Sequence, residues 1–430
     1  MNLILACDAA KVLNRDLIDR EIKAAQFYLR AKKDCYFFGI SAFVQQFLKQ
    51  PVTQDHLNEA KRVLAARGER DLEFIKGWER IVKDHGGYLP ISIRSVEEGL
   101  FVPGGEVMLT VECYSSDFIW LLYQLDSLLL RSIWYPSTML TKMMGIREIL
   151  DDWKSLSGHD EHKIVYDITG RACPSMSCEL ASSATKLAFP SFDSISADLF
   201  LEQYYERPLR FAPRRYLLEH NVIIGWQSEK DYLKYLEELP DYSDVICIID
   251  TYNVWSCFSL LVCDDIKRLA REKNLTLYIC PDSSESVTET IRVVKKMLEL
   301  YGTKNQEGYK VLPKEYRVVQ TGMTEVMASR LSLKCRQMGI SSDNFAFMLE
   351  DSALQEEVSR NTYQFEYKMC AVKKEAWLNV SKHPGTDHET LSGLQFIGEQ
   401  TIKYLDGNVI NQNKFTQIDT NINNHKYIDV

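Results

Sequence analysis

KIVYDITG (163–170), VICIIDTYN (245–253), LTLYICPDS (275–283), YRVVQTG (316–322) and NFAFMLED (344–351) decide the fold. Each is a short run of β-branched and aromatic residues ending in Asp, Thr, Ser or Gly, the texture of a strand buried on both faces. Helical stretches separate them, the clearest being ESVTETIRVVKKMLELYG (285–302). This rhythm predicts parallel pairing through helical crossovers, and an α/β barrel fits it best. Residues just past the carboxyl ends of barrel strands share one rim. Asp167, Asp250, Asp282, Thr321 and Glu350 are therefore expected to converge there.

Upstream the period changes. CYFFGISAFVQQFLKQ (35–50) has helical spacing after Gly39, and residues 55–85 carry a long charged helical pattern. GGYLPISIRSVEEGLFVPGGEVMLTVEC (86–113) alternates at period two and is punctuated by Gly and Pro, which predicts a small antiparallel sheet. A helical run over 117–132 meets WYP (134–136), where Pro136 is expected to open the next helix, running to about residue 155. The division that follows is an α+β lobe, 1–135 with 365–430, and an irregular α/β barrel, 136–364. From Asp406 to Val430 the chain is Asn-rich and weakly apolar, as a flexible or partner-bound tail would be.

Composition excludes several functions. Hydrophobic residues make up 45% of the 430 and charged residues 26%, values of a folded chain with room for more than one domain. Lys and Arg sum to 51 against 60 Asp and Glu, a formal charge of −9 that repels polyanions, so no nucleic-acid partner is expected. The apolar stretch 121–130 is broken by Gln124 and Asp126, far short of the roughly 18 residues of a membrane span. MNLILACDAAKV meets Asp8 and Lys11 before a signal-peptide core can form, which points to an intracellular, cytoplasmic protein. The 11 cysteines have no repeating spacing and read as reduced and structural. Cys173 and Cys178 lack a second pair to complete a zinc site, and His159 and His162 in GHDEH read as a solvated loop, so no metal site is expected.

Three stretches carry candidate chemistry. Asp282 in CPDSSES stands where a strand runs into a Ser-rich loop, placed to serve a metal, a hydroxyl or the N-terminus of the following helix. LLEHNVIIGW sets Glu219 beside His220, an arrangement that can orient an imidazole for nucleophilic or acid–base work, although such a pair is also a common structural one. RPLRFAPRRY (207–216) gathers Arg207, Arg210, Arg214 and Arg215, which suits phosphate as well as a solvated or partner-facing loop.

Taken together, LILACDAAKV, YFFGISAFVQQFLK, GYLPISIRSVEEGLFVPGGEVMLTVE, SIWYPST, YDITGR, LLEHNVIIGW, DTYNVW, PDSSES with GYKVLPKEYRVVQ, and DNFAFM resemble nicotinamide phosphoribosyltransferases in order and spacing, from about residue 2 to residue 410. The resemblance implies a barrel plus a lobe built from N- and C-terminal parts, and a head-to-tail homodimer with active sites at the interface. It also implies synthesis of nicotinamide mononucleotide from nicotinamide and phosphoribosyl pyrophosphate, with Mg2+ and with ATP phosphorylating the His of the EH motif. His220 stands at that position, next to Glu219. Arg30, Arg171, Asp193, Asp282 and Arg360 match family positions that hold phosphates, ribose hydroxyls or the nicotinamide amide.

Elsewhere the family pattern fails. Two aromatic rings that sandwich nicotinamide are replaced by Ala10 and Ile168, neither of which has a π-face. The Arg before the PDS motif is Cys280, so a fixed cation is gone. A Gly-Asp pair after the VVQ strand is Thr321 and Gly322, and the glycine-rich phosphate loop after the AF strand is Met348, Leu349, Glu350, Asp351 and Ser352. One like-charge pair at about 4 Å and an effective dielectric of about 20 costs on the order of 4 kcal/mol, so two acids facing a phosphate weigh heavily. The resulting expectation is a pseudoenzyme: a catalytically inactive homologue acting as a structural or binding subunit, in a homodimer or larger assembly, with a nicotinamide-like or phosphoribosyl ligand. The alternative is an active phosphoribosyltransferase of NAD salvage making nicotinamide mononucleotide or a related pyridine nucleotide. No cofactor is required by the first; Mg2+ and ATP belong to the second.

Overall fold

Residues Val245 to Ile248 and Leu277 to Cys280 are each at most 4% exposed, which is what strands covered on both faces require. In the computed structural model they are neighbours in a six-stranded sheet whose order is Val165–Asp167, Phe345–Leu349, Tyr316–Gln320, Thr276–Cys280, Asp244–Ile248 and Arg215–Leu218. Every pairing in it is parallel. The sheet is open, an irregular half-barrel, and all its carboxyl ends share one edge. Residues 2–69, 73–157, 165–172, 184, 186–189, 194–209, 214–282, 286–350, 353, 355–385, 389–397, 402–405 and 408–410 are described. Lys163 and Ile164, the start of the first expected strand, lie outside them.

Two compact units result: Met1–Thr141 with Leu201–Arg207 and Glu357–Val430, and Lys142–Phe200 with Pro208–Glu356. The first is an α+β lobe around a seven-stranded antiparallel sheet, ordered Trp377–Asn379, Glu366–Lys373, Ala24–Arg30, Val107–Cys113, Ser92–Ser95, Ile402–Leu405 and Asn408–Ile410. Three N-terminal strands thus sit between pairs of C-terminal strands in one sheet, a lobe built from both ends of the chain as expected. Asn408–Ile410 falls within the stretch read as a tail; its backbone pairs with Ile402–Leu405 and so belongs to the sheet, while 411–430 lie outside the described residues. The charged pattern over 55–85 is two helices, Gln54–Ala66 and Glu73–Asp84, the first opened by Thr53 and His56 in a reciprocal cap.

Pro136 does not open a helix. A single helix, Trp120–Ser157, runs through it. Proline removes one backbone hydrogen bond to residue 132, and tertiary contacts override that loss. Ile133, Met139 and Leu140 are wholly buried, and the Ser137 hydroxyl accepts from Phe38 N at 2.9 Å and donates to Phe38 O at 3.1 Å. Beside it Gly39 has φ +111°, and a Cβ there would stand 2.2 Å from Ser132 O, so only glycine fits this approach. Among the described residues, no helix is long and apolar enough to cross a membrane.

Candidate active site at the carboxyl edge of the parallel sheet

The strand Arg215–Leu218 ends directly before Glu219 and a short helix, His220–Trp226, so His220 projects from the edge where the parallel strands run out. The neighbouring strand delivers Asp250 and Thr251, and the next delivers Asp282. His220 Nδ1 lies 3.0 Å from Thr251 Oγ1. Its Nε2 lies 3.4 Å from Asp282 Oδ2 and 4.0 Å from Asp250 Oδ1. The two acidic loops are locked to each other, because Asp282 N donates to Asp250 Oδ2 at 3.0 Å. Asp250 is nearly buried, with a side chain 6% exposed, whereas His220 at 34% keeps access to solvent. The result is an imidazole fixed on one nitrogen by a hydroxyl, with two carboxylates beside the other.

This geometry revises one local reading. The partner that orients His220 is Thr251 rather than Glu219, which is exposed and caps nothing with its side chain. The sequence signal for Thr251 is a hydroxyl next to a rim Asp, in VICIIDTYN.

Of the other rim residues, Asp167 is 3% exposed and binds its own turn: its Oδ1 accepts from Thr169 N at 3.1 Å and Thr169 Oγ1 at 2.5 Å. Thr321 is buried and Gly322 takes φ +61°, the left-handed turn that leads off the strand. Met348 and Leu349 are not in a loop. They are strand residues, each 1% exposed, paired with Tyr166 and Asp167, so the replaced phosphate loop starts only at Glu350. The β-strand continues through them because two apolar side chains have a buried face to fill. Cys280 is fully buried, and burial pushes its thiol well above the usual range, with the carboxylates of Asp282, Glu350 and Asp250 adding to the rise. The negative charges of three acids therefore act on the position where the resemblance implies a cation.

Ile168 is half-buried just past Asp167, and Ala10 is exposed in the short helix Ala9–Leu13 of the lobe. In the lobe, Arg30 is paired with Glu366 at 2.7 Å, and Arg360 donates to Phe365 O and Asn361 Oδ1, each at 3.2 Å. Arg215 of the arginine-rich stretch stacks over Tyr166 at 5.2 Å and stands 3.7 Å from Asp244. Arg171 has its backbone in the turn Thr169–Ala172, its side chain lying outside the description. Asp193, Asp351, Ser352, Arg210, His159, His162, Cys173 and Cys178 also lie outside the described residues.

Comparison with known proteins converges on one family. The profile of the nicotinamide phosphoribosyltransferase N-terminal domain matches residues 2–93. A nicotinamide phosphoribosyltransferase of Xanthomonas campestris pv. campestris (strain 8004) is 30% identical over 404 residues, covering 90% of this chain and 85% of that protein. One of Mycoplasma pneumoniae (strain ATCC 29342 / M129 / Subtype 1) is 23% identical over 429 residues, covering 89% and 92%. Among solved structures, nicotinate-nucleotide pyrophosphorylase from Pyrococcus furiosus matches with a TM-score of 0.57 at 12% identity over 100% of this chain and 97% of that one, a likeness of fold alone. The extent of the Xanthomonas match places the chain, as a divergent member, in the nicotinamide phosphoribosyltransferase family.

Proposed function

We propose that this protein is a phosphoribosyltransferase of NAD salvage, joining a pyridine base to the ribose of phosphoribosyl pyrophosphate to give nicotinamide mononucleotide or a related pyridine nucleotide. The observation that carries this reading is His220, held by Thr251 on Nδ1 with Asp282 and Asp250 beside Nε2. If Nδ1–H is donated to Thr251, the Nε2 lone pair is left for chemistry. Positive charge developing there, as Nε2 takes a proton or a phosphoryl group from ATP, is offset by the two carboxylates. The same carboxylates are hard oxygen donors of the kind Mg2+ takes, one or two at a time, with phosphate oxygens and water completing its shell. A homodimer and a cytoplasmic setting accompany this reading.

The base is the part of the substrate that has changed its environment. With Ala10 and Ile168 in place of rings, nicotinamide loses stacking worth about 0.5–1.5 kcal/mol per aromatic pair, so weak affinity for nicotinamide or a preference for another pyridine follows.

A second reading, a non-catalytic homologue serving as a structural or binding subunit, is favoured by one observation: buried Cys280 replaces a cation and feels the negative charges of Asp282, Glu350 and Asp250. Thermal melting with phosphoribosyl pyrophosphate and Mg2+ separates the two. A saturable rise in Tm supports the enzyme, since a ligand bound at a hundred times its Kd adds about 2.7 kcal/mol; an unchanged Tm up to millimolar ligand supports the subunit.

A further inference from the structure

Arg30 and Glu366 face each other across two neighbouring antiparallel strands of the lobe. Arg30 Nε donates to Glu366 Oε1 at 2.7 Å, and both side chains are only 11% exposed. The same carboxylate oxygen accepts the Tyr28 hydroxyl at 2.7 Å, and Lys32 Nζ stands 3.8 Å from the other oxygen. The remaining guanidinium nitrogens donate to Gly105 O at 3.4 Å and Glu389 O at 3.3 Å. A planar guanidinium, a phenol and an ammonium converging on one pair of oxygens form the donor set that recognises a phosphate. Here an internal carboxylate already takes those donors.

We propose that Glu366 is a built-in anion that stands where a phosphate oxygen of the ligand would bind Arg30, and that it sets a low affinity for pyrophosphate-bearing ligands. With Glu366 in place, Arg30, Lys32 and the carboxylate sum to a single positive charge; removing the carboxylate leaves two. An incoming phosphate must either displace Glu366 from enclosed hydrogen bonds or approach beside a like charge. The choice of phosphate as ligand class rests on the phosphoribosyl reading above, whereas the displacement itself involves no turnover.

The test is isothermal titration of the full-length chain with inorganic pyrophosphate. Glu366→Gln keeps the shape of the side chain and is expected to bind pyrophosphate at least tenfold more tightly than wild type. Adding Arg30→Gln to that variant is expected to remove the gain. Equal or weaker affinity in a folded Glu366→Gln variant, or a gain that survives loss of Arg30, overturns the proposal. Should the single variant fail to fold, the charge-neutral double variant Arg30→Gln with Glu366→Gln is compared directly with wild type. An affinity within twofold is expected, because Arg30 contributes nothing while paired; a tenfold loss shows that Arg30 already holds the anion and overturns the proposal. Absence of product in an enzyme assay would sink the phosphoribosyltransferase reading and leave this titration readable.

Discussion

His220 Nε2 lies 3.4 Å from Asp282 Oδ2, although the two residues come from strands separated by a third, Asp244–Ile248. That intervening strand supplies Asp250 and Thr251, which close the gap from both sides of the imidazole. The trio is a consequence of parallel register: three adjacent strands end level, with Ile248 opposite Cys280 and Leu218 opposite Cys247. Chemistry placed on such an edge is positioned by rigid elements rather than by loops alone.

Thr251→Val should lower the rate of product formation about fivefold with little change in KM, because one hydrogen bond that orients the imidazole, worth about 1 kcal/mol, is lost. Thr251 is a positioning residue, so the pH profile of kcat should shift as well, and Thr251→Ser should restore both. A variant that changes only thermal stability, with kcat and its pH profile intact, contradicts the role.

Glu350→Gln should tighten phosphoribosyl pyrophosphate binding by roughly tenfold. A like charge near a phosphate costs up to about 4 kcal/mol at 4 Å and an effective dielectric of about 20, and solvent at this half-buried side chain reduces that penalty. Calorimetric titration of the wild type and variant measures it; identical affinities would mean that the side chain turns away from the ligand.

Gly39→Ala should destabilise the lobe by about 2–4 kcal/mol. Its backbone has φ +111° and its Cβ would meet Ser132 O at 2.2 Å, so strain and a steric clash add. Urea unfolding provides the number, and a change under about 0.5 kcal/mol would show that the helix around Pro136 yields easily.

Glu98 gives a pH signature. Burial raises its carboxyl above the ordinary range, against the lowering effect of bonds from Ser41, Gly39 and Tyr205. Between the ordinary carboxylate pKa, about 4.3, and the raised value, the folded chain binds more protons than the unfolded one. Stability contributed by the protonated form is therefore lost as pH rises through that window. Glu98→Gln should flatten this decline in a melting series from pH 4 upward, and an unchanged slope would assign the decline to other groups.

Thiol reactivity follows from burial in the same way. Cys35, Cys335 and Cys370 are pushed up to about 12, chiefly by desolvation, which leaves almost no thiolate at pH 8. Mass spectrometry after iodoacetamide treatment of the native protein should find all three unmodified, and after denaturation all three alkylated. Rapid native labelling of any of them would show local opening of its strand or helix.

Much of the fold was legible because buried parallel strands leave continuous apolar runs: those starting near 245, 275, 316 and 344 are the strands beginning at Asp244, Thr276, Tyr316 and Phe345. Arg215–Leu218 escaped because RYLL is too short to show a period and runs straight into Glu219 and His220. Pro136 misled because local propensity marks it as a start signal, whereas buried neighbours and the Ser137 hydroxyl carry the helix through. At the site, Asp250 and Asp282 were legible as strand-end acids, but their link through the Asp282 amide and the role of Thr251 arise only from register between distant strands. Glu366 gave no sign in the sequence, since nothing in YQFEYK announces that the strand pairs with FYLR and sets a carboxylate against Arg30.

The most direct measurement mixes purified protein with nicotinamide, phosphoribosyl pyrophosphate, Mg2+ and ATP and quantifies nicotinamide mononucleotide by mass spectrometry, in wild type and His220→Ala. The phosphoribosyltransferase account predicts product from the wild type that falls at least a hundredfold in the variant, the roughly 10²–10⁴-fold that a positioned acid–base or nucleophilic group contributes. No product from folded wild type with nicotinamide or any other pyridine base, or product undiminished without His220, would contradict it.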